Sequence, residues 1–318
     1  MKNPILMIGS ISLALVANMA WATDDENLMG IQIESISTSD NFERNAAEAK
    51  YGGVMPGGIH YGLEAGHHQM DKNGQRYQAT EAKIRGGVEI NDMLFFEGSV
   101  GSGKVAEKNG NKAKQLTSYR VRGEAKLTEQ VTVGVEHSKD FVFKDQLLTD
   151  ANGDIMTAES TRADVKFRAA ERVRLEADTT KRELSDGNAS QKSKVGAFYG
   201  ISPSWPWVWA GVEAEHLDFD QQKPGYWTPK NHKSVAASFA SSFPVNDTLD
   251  LSSSISVGRG KDDDSVKAGT TYYASVGANA KVSENGKLSA EAHYIKAQQS
   301  NSAWDETGGS VGLTFKHY

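Results

Sequence analysis

The stretch Tyr119-Arg120-Val121-Arg122-Gly123-Glu124-Ala125-Lys126-Leu127 alternates apolar or small residues with charged ones at every step. Only an extended strand, whose side chains point to opposite faces in turn, sorts such a sequence into one apolar and one charged face. The pattern recurs along the chain. Val131, Val133 and Val135 alternate with Thr132, Gly134 and Glu136, and Ala163, Val165, Phe167 and Ala169 alternate with Arg162, Asp164, Lys166 and Arg168. Val173, Leu175 and Ala177 alternate with Arg172, Arg174, Glu176 and Asp178, and Ile59, Tyr61, Leu63 and Ala65 with His60, Gly62 and Glu64.

A soluble β-sandwich also alternates. Here, however, the polar faces are densely charged with both signs, and the apolar faces mix small and medium side chains that lack the bulk of a core. A transmembrane barrel asks for this combination: apolar residues toward lipid, a polar lumen, and a sheet closed on itself so that every backbone amide is paired. The expected fold is therefore all-β, a transmembrane antiparallel barrel.

Composition agrees. The chain has 318 residues, 38% hydrophobic and 24% charged, with 31 glycines, seven prolines and no cysteine. It lacks the apolar runs of about 20 residues that membrane helices need. Without cysteine there is no disulfide scaffold, thiolate metal site, cysteine nucleophile or lipidated cysteine. A net charge of -6 speaks against a nucleic-acid partner.

Residues 1–22 have the form of a cleaved export signal. Lys2 gives a basic start, Ile5 to Val16 an apolar stretch too short to span a bilayer, and Ala20-Trp21-Ala22 a small-residue cleavage site. The barrel is then expected over 23–318, in a bacterial outer membrane.

Turn signals fix the strand count. Short breaks fall at Pro56-Gly57-Gly58, Asn91-Asp92, Thr128-Glu129-Gln130, Ala170-Glu171, Ser202-Pro203-Ser204, Asn246-Asp247 and Glu284-Asn285-Gly286. Longer polar stretches lie between them at 39–43, 71–75, 104–112, 144–154, 185–191, 218–230, 260–267 and 298–303. Seven short turns alternating with eight longer loops predict about sixteen strands, with both termini on the short-turn, periplasmic side. At the C-terminus Val311, Leu313 and Phe315 alternate outward before Tyr318, similar to the signal read by the barrel-insertion machinery, although strict alternation places His317 and not Tyr318 on that face.

Several motifs are excluded on chemistry. Gly98 to Lys104 has the spacing of a phosphate-binding loop, but Val105 stands where a magnesium-binding hydroxyl is needed. Asp150, Asn152 and Asp154 begin like a calcium loop, yet Ile155 replaces its glycine and Thr161 its bidentate glutamate. Asp262-Asp263-Asp264 reads as a solvated outer loop facing divalent cations and lipopolysaccharide. His67-His68 and His137-Ser138 lack the nucleophile, base and orienting group that must converge in an enzyme. No enzymatic activity and no cofactor are expected.

The charged faces nominate Arg120, Arg122, Glu124, Arg162, Asp164, Lys166, Arg168, Arg172, Arg174 and Glu176 as pore-lining, forming a net basic wall partly neutralised by its carboxylates. Trp207 and Trp209 share strand parity with Glu213 and Glu215, so they face either a lumen, where they would stack on sugar rings, or the interfacial aromatic girdle near Pro203 and Pro206.

A second sugar-related element follows. Phe219-Asp220, then Gly225-Tyr226-Trp227-Thr228-Pro229 and the strand Ser234 to Phe243, resembles the loop and strand in the C-terminal sixteen-stranded barrel of exopolysaccharide exporters of the cellulose and poly-N-acetylglucosamine type. The resemblance implies export of a polysaccharide chain, with Tyr226 and Trp227 stacking on sugars at the outer mouth. Those exporters carry a helical-repeat region before the barrel, so a separate periplasmic scaffold protein would be the partner here. A general or oligosaccharide-specific diffusion porin is the alternative, as is a structural barrel whose outer loops bind partners. The modest length of 144–154 and 218–230 favours constriction by side chains over an inward-folded loop.

Overall fold

A computed structural model describes residues 27–317 apart from 92, 225, 264–266, 300 and 301, so the expected signal, Asp92, Gly225 and Asp264 lie outside the described residues. The strands are β1 (Asn27–Thr38), β2 (Phe42–Met55), β3 (Ile59–Lys72), β4 (Gln75–Ile90), β5 (Leu94–Glu107), β6 (Ala113–Lys126), β7 (Val131–Phe141) and β8 (Thr157–Ala170). They continue with β9 (Val173–Leu184), β10 (Ala189–Ser202), β11 (Trp207–Phe219), β12 (His232–Asn246), β13 (Leu249–Lys261), β14 (Gly269–Lys281), β15 (Gly286–Gln299) and β16 (Ser302–His317). Each pairs antiparallel with its sequence neighbours, and β1 closes on β16 in an unbroken register from Asn27↔His317 to Thr38↔Glu306. The fold is the expected closed barrel of sixteen strands.

Every strand but the 11-residue β7 exceeds the roughly 9–11 residues that a tilted strand needs to cross the hydrocarbon, and the excess corrects several expected loops. The stretch expected as a loop at 71–75 shrinks to Asn73-Gly74, with φ of 54° and 82°, the mirror-image turn that favours Asn-Gly. Lys104 to Glu107 belong to β5. These strands rise beyond the bilayer, where the outer face meets water and polar residues no longer mark a loop.

The outward face is a band of aliphatic side chains, with Ile31, Ile84, Val121, Val212, Val235 and Val276 among the exposed ones. Exposed Phe96, Phe167, Tyr199, Phe243 and Phe315 ring the short-turn end, and Tyr272 and Tyr294 stand toward the other. These residues form the interfacial girdles expected of an outer-membrane barrel. Turning a single outward position polar is costly: an arginine near the midplane loses about 2 to 4 kcal/mol.

Two consequences can be measured. A protease site inserted between Gln222 and Lys223 should be cut on intact cells and one at Asn246 should not; the reverse pattern would invert the orientation. Val121→Arg should shift the urea midpoint in liposomes to lower concentration, whereas Arg122→Val, on the opposite face, should not show that membrane-depth penalty.

Candidate functional site

The lumen face of β5 to β11 carries the expected charges, but as a ladder of ion pairs. Arg120 meets Glu97 at 2.5 Å and Glu136 at 2.8 Å. Arg122 meets Glu124 at 2.9 Å and Asp164 at 3.1 Å, and Arg174 meets Glu176 at 2.8 Å. Arg162 lies 3.8 Å from Asp178 and 3.9 Å from Asp164, and the ladder continues through Lys192–Glu215 at 3.1 Å and Lys194–Glu213. Glu97 and Glu136 are the partners that the nominated set omitted; both sit at lumen parity on the strands flanking β6. The expected net basic wall is thus largely neutralised. Lys166 and Arg168 share the lumen parity of Arg162 but remain exposed near the periplasmic end. Arg172 is a correction: it occupies the turn between β8 and β9 and lies at the rim, not on the wall.

Trp207 and Trp209 face the lumen. Both pack on buried Phe198 and Ala240, and Trp209 pairs across β10 with Gly200. Glycines make room for the rings: a Cβ on Gly200 would approach Trp209 to 3.2 Å, and one on Gly211 would collide with Phe198. The Arg174 guanidinium lies 4.9 Å from the Trp209 ring centre and 5.0 Å from that of Phe198. Trp209 is thereby engaged by a cation, while half-buried Trp207 borders an open cavity beside Ser242.

Tyr226 and Trp227 require correction. They are 3% and 7% exposed, packed in an apolar cluster with Leu147, Met156, Leu217, Phe219 and Trp304. Their polar ends are committed: the Tyr226 hydroxyl donates to Asp186 at 2.7 Å and accepts from Asn188, and Trp227 Nε1 donates to Asp262 at 3.2 Å. Burial and the Asp186 carboxylate push the tyrosine hydroxyl's pKa upward. As folded, neither ring is free to stack on a sugar.

What buries them is residues 142–156, which fold inward between β7 and β8, contrary to the expectation of constriction by side chains alone. Leu147 and Leu148 are fully buried, Leu147 in the cluster just described and Leu148 in a second one with Phe42, Met70, Tyr77, Val105 and Phe143. The loop therefore bridges opposite walls of the outer half. Its hydrophilic residues are tied down too. Lys144 pairs with Glu48 at 3.4 Å and with Glu81, Asp145 with Arg182 at 2.9 Å, and Gln146 donates to Glu306.

Glu48, His68 and Glu81 converge closely enough to hold a cation, and the Lys144 ammonium supplies that charge. Burial opposes charge on Lys144, but Glu81 and Glu48 outweigh it, so its pKa is raised. At the loop tip, Asn152 and Asp154 donate their backbone amides to Asp150 Oδ1, which makes the Asp-x-Asn-x-Asp spacing a capped turn.

Together, lipid-facing girdles, a charged lumen and a closed antiparallel sheet define an outer-membrane β-barrel protein. Neither the family nor the curated-protein comparison finds a match. Among solved structures, one described as a bacterial polysaccharide outer membrane secretin aligns at a TM-score of 0.75 and 12% identity, covering 93% of this chain and all of that one. CdiB from Acinetobacter baumannii aligns at 0.54 and 9% identity, covering 91% of this chain but 60% of its own. At these identities the similarity establishes the fold, and the protein is placed in the bacterial outer membrane.

Because Leu147 and Leu148 hold the loop in both clusters, replacing both by Glu should release it. Planar-bilayer recordings should show single-channel conductance rising several-fold over the parent protein while heat-modifiable gel mobility persists. Equal conductance would mean that the loop does not close the lumen.

Proposed function

We propose that the protein is a passive outer-membrane conduit for a polysaccharide or oligosaccharide chain, closed at rest by residues 142–156. The observation that carries this is the lumen-side placement of Trp207 and Trp209 above a largely ion-paired wall. Aromatic faces suit the apolar faces of sugar rings, and neutralised charges let a polar chain move without being trapped. The likeness in fold to a bacterial polysaccharide outer membrane secretin lends support. No catalytic group is assigned. A periplasmic protein would deliver the chain, and displacement of the loop would open the outer end, with lipopolysaccharide surrounding the barrel.

A diffusion porin is the second reading, favoured by the inward loop, which narrows the lumen as a solute filter would. The two separate in cells. For an export conduit, deleting the gene should abolish surface polysaccharide, and Trp207→Ala should lower it by at least half without changing heat-modifiable mobility. Normal polymer after gene deletion would leave the porin.

A further inference from the structure

The lumen is chemically two-sided. Opposite the charged ladder, the periplasmic half of β12 to β16 is lined by small hydroxyl residues. Ser242 pairs in register with Ser252, Ser254 with Ser275, and Asn279 with Ser289. With Ser310, these residues and Trp207 wall a cavity of about 180 Å³. Glu291 lines it as well and makes no ion pair among the described residues.

The hydroxyls differ by face. Ser241 and Ser253, at lipid-facing parity, hydrogen-bond each other at 3.0 Å, as a polar group beside hydrocarbon must. Ser254, on the lumen side and 3% exposed, has no protein partner for its Oγ, and the same holds for Ser238 and Ser256 on the same wall. Buried polar groups are normally satisfied, and the unspent Ser254 hydroxyl on this cavity, continued along the same wall by those of Ser238 and Ser256, suits a ligand that offers both donors and acceptors. Small side chains leave space for a ring, Trp207 supplies an apolar face, and Glu291 repels anions.

We propose that this serine wall with Trp207 is a binding track for uncharged, hydroxyl-rich glycan units, entered from the periplasmic side. The proposal deepens the conduit reading and rests on it: it names the part of the wall that the chain touches and excludes uronic-acid polymers as the cargo.

The test is calorimetric titration of the purified full-length protein in detergent with cellohexaose and, separately, with hexagalacturonate. The neutral hexamer should bind at least tenfold more tightly, and Glu291→Gln should narrow that gap. Ser254→Ala and Ser275→Ala remove one hydroxyl each with little change in packing. Each should weaken cellohexaose by about fivefold, the size of one neutral hydrogen bond, with unaltered heat-modifiable mobility. An undetectable interaction with cellohexaose, equal affinity for both hexamers, or serine variants that bind as tightly as the parent would each overturn the track. Secretion assays on the gene deletion read the conduit itself, so a failed track with a lost polymer phenotype leaves the conduit standing and removes only this site.

Discussion

A backbone amide left unpaired in hydrocarbon costs several kcal/mol, and water is not there to take its place. The pairing of β1 with β16 is the seam that removes this cost, because it leaves no edge strand in the bilayer. Closure then imposes everything else. Each strand has one face in lipid and one inside, so the period of two becomes an assignment of chemistry: aliphatic band and aromatic girdles outward, charges and hydroxyls inward. The individual ion pairs are worth little where they remain solvated, roughly 0.2–1 kcal/mol. They are inside because lipid exposure would cost more.

Inside that frame the lumen is divided twice. Around its circumference, β1 to β11 carry paired charges, with the Phe198–Trp209–Arg174 stack among them, whereas the periplasmic half of β12 to β16 presents hydroxyls and small residues. Along its length, the outer half is packed by residues 142–156 with Tyr226 and Trp227 as if it were a soluble core, and the periplasmic half holds the cavity. In the proposed conduit, a chain entering from the periplasm would meet the cavity first and the closed end last, so transport would require the loop to move.

The strand faces were legible in the sequence because parity is a local property: Arg120, Arg122, Arg162 and Arg174 could be set inside from their immediate neighbours. Their exact charge balance was not, since Glu97 and Glu136 come from neighbouring strands and count only once the register is known. The loop was misjudged for a related reason. Its polar tip, Asp150 to Asp154, reads as solvated, but Phe141-Val142-Phe143, Leu147-Leu148 and Ile155-Met156 flank it, and apolar pairs in a segment with no lipid face must bury themselves within the barrel. Tyr226 and Trp227 misled because an aromatic pair in an outer loop reads alike whether it meets a ligand or a core, and only the inward loop decides between them.

The outer end of the lumen is filled by residues 142–156, while the cavity lies toward the inner end. The absence of cysteine makes this directly measurable. Ser252→Cys places a single thiol in the cavity and Asn152→Cys a second, separate reporter at the exposed loop tip, each to be reacted with a bulky membrane-impermeant maleimide on intact cells and then on cells with a permeabilised periplasm. The loop-tip thiol should label from outside, and the cavity thiol only once the reagent reaches the periplasm. Rapid labelling of Ser252→Cys from outside in resting cells would contradict a lumen closed by residues 142–156.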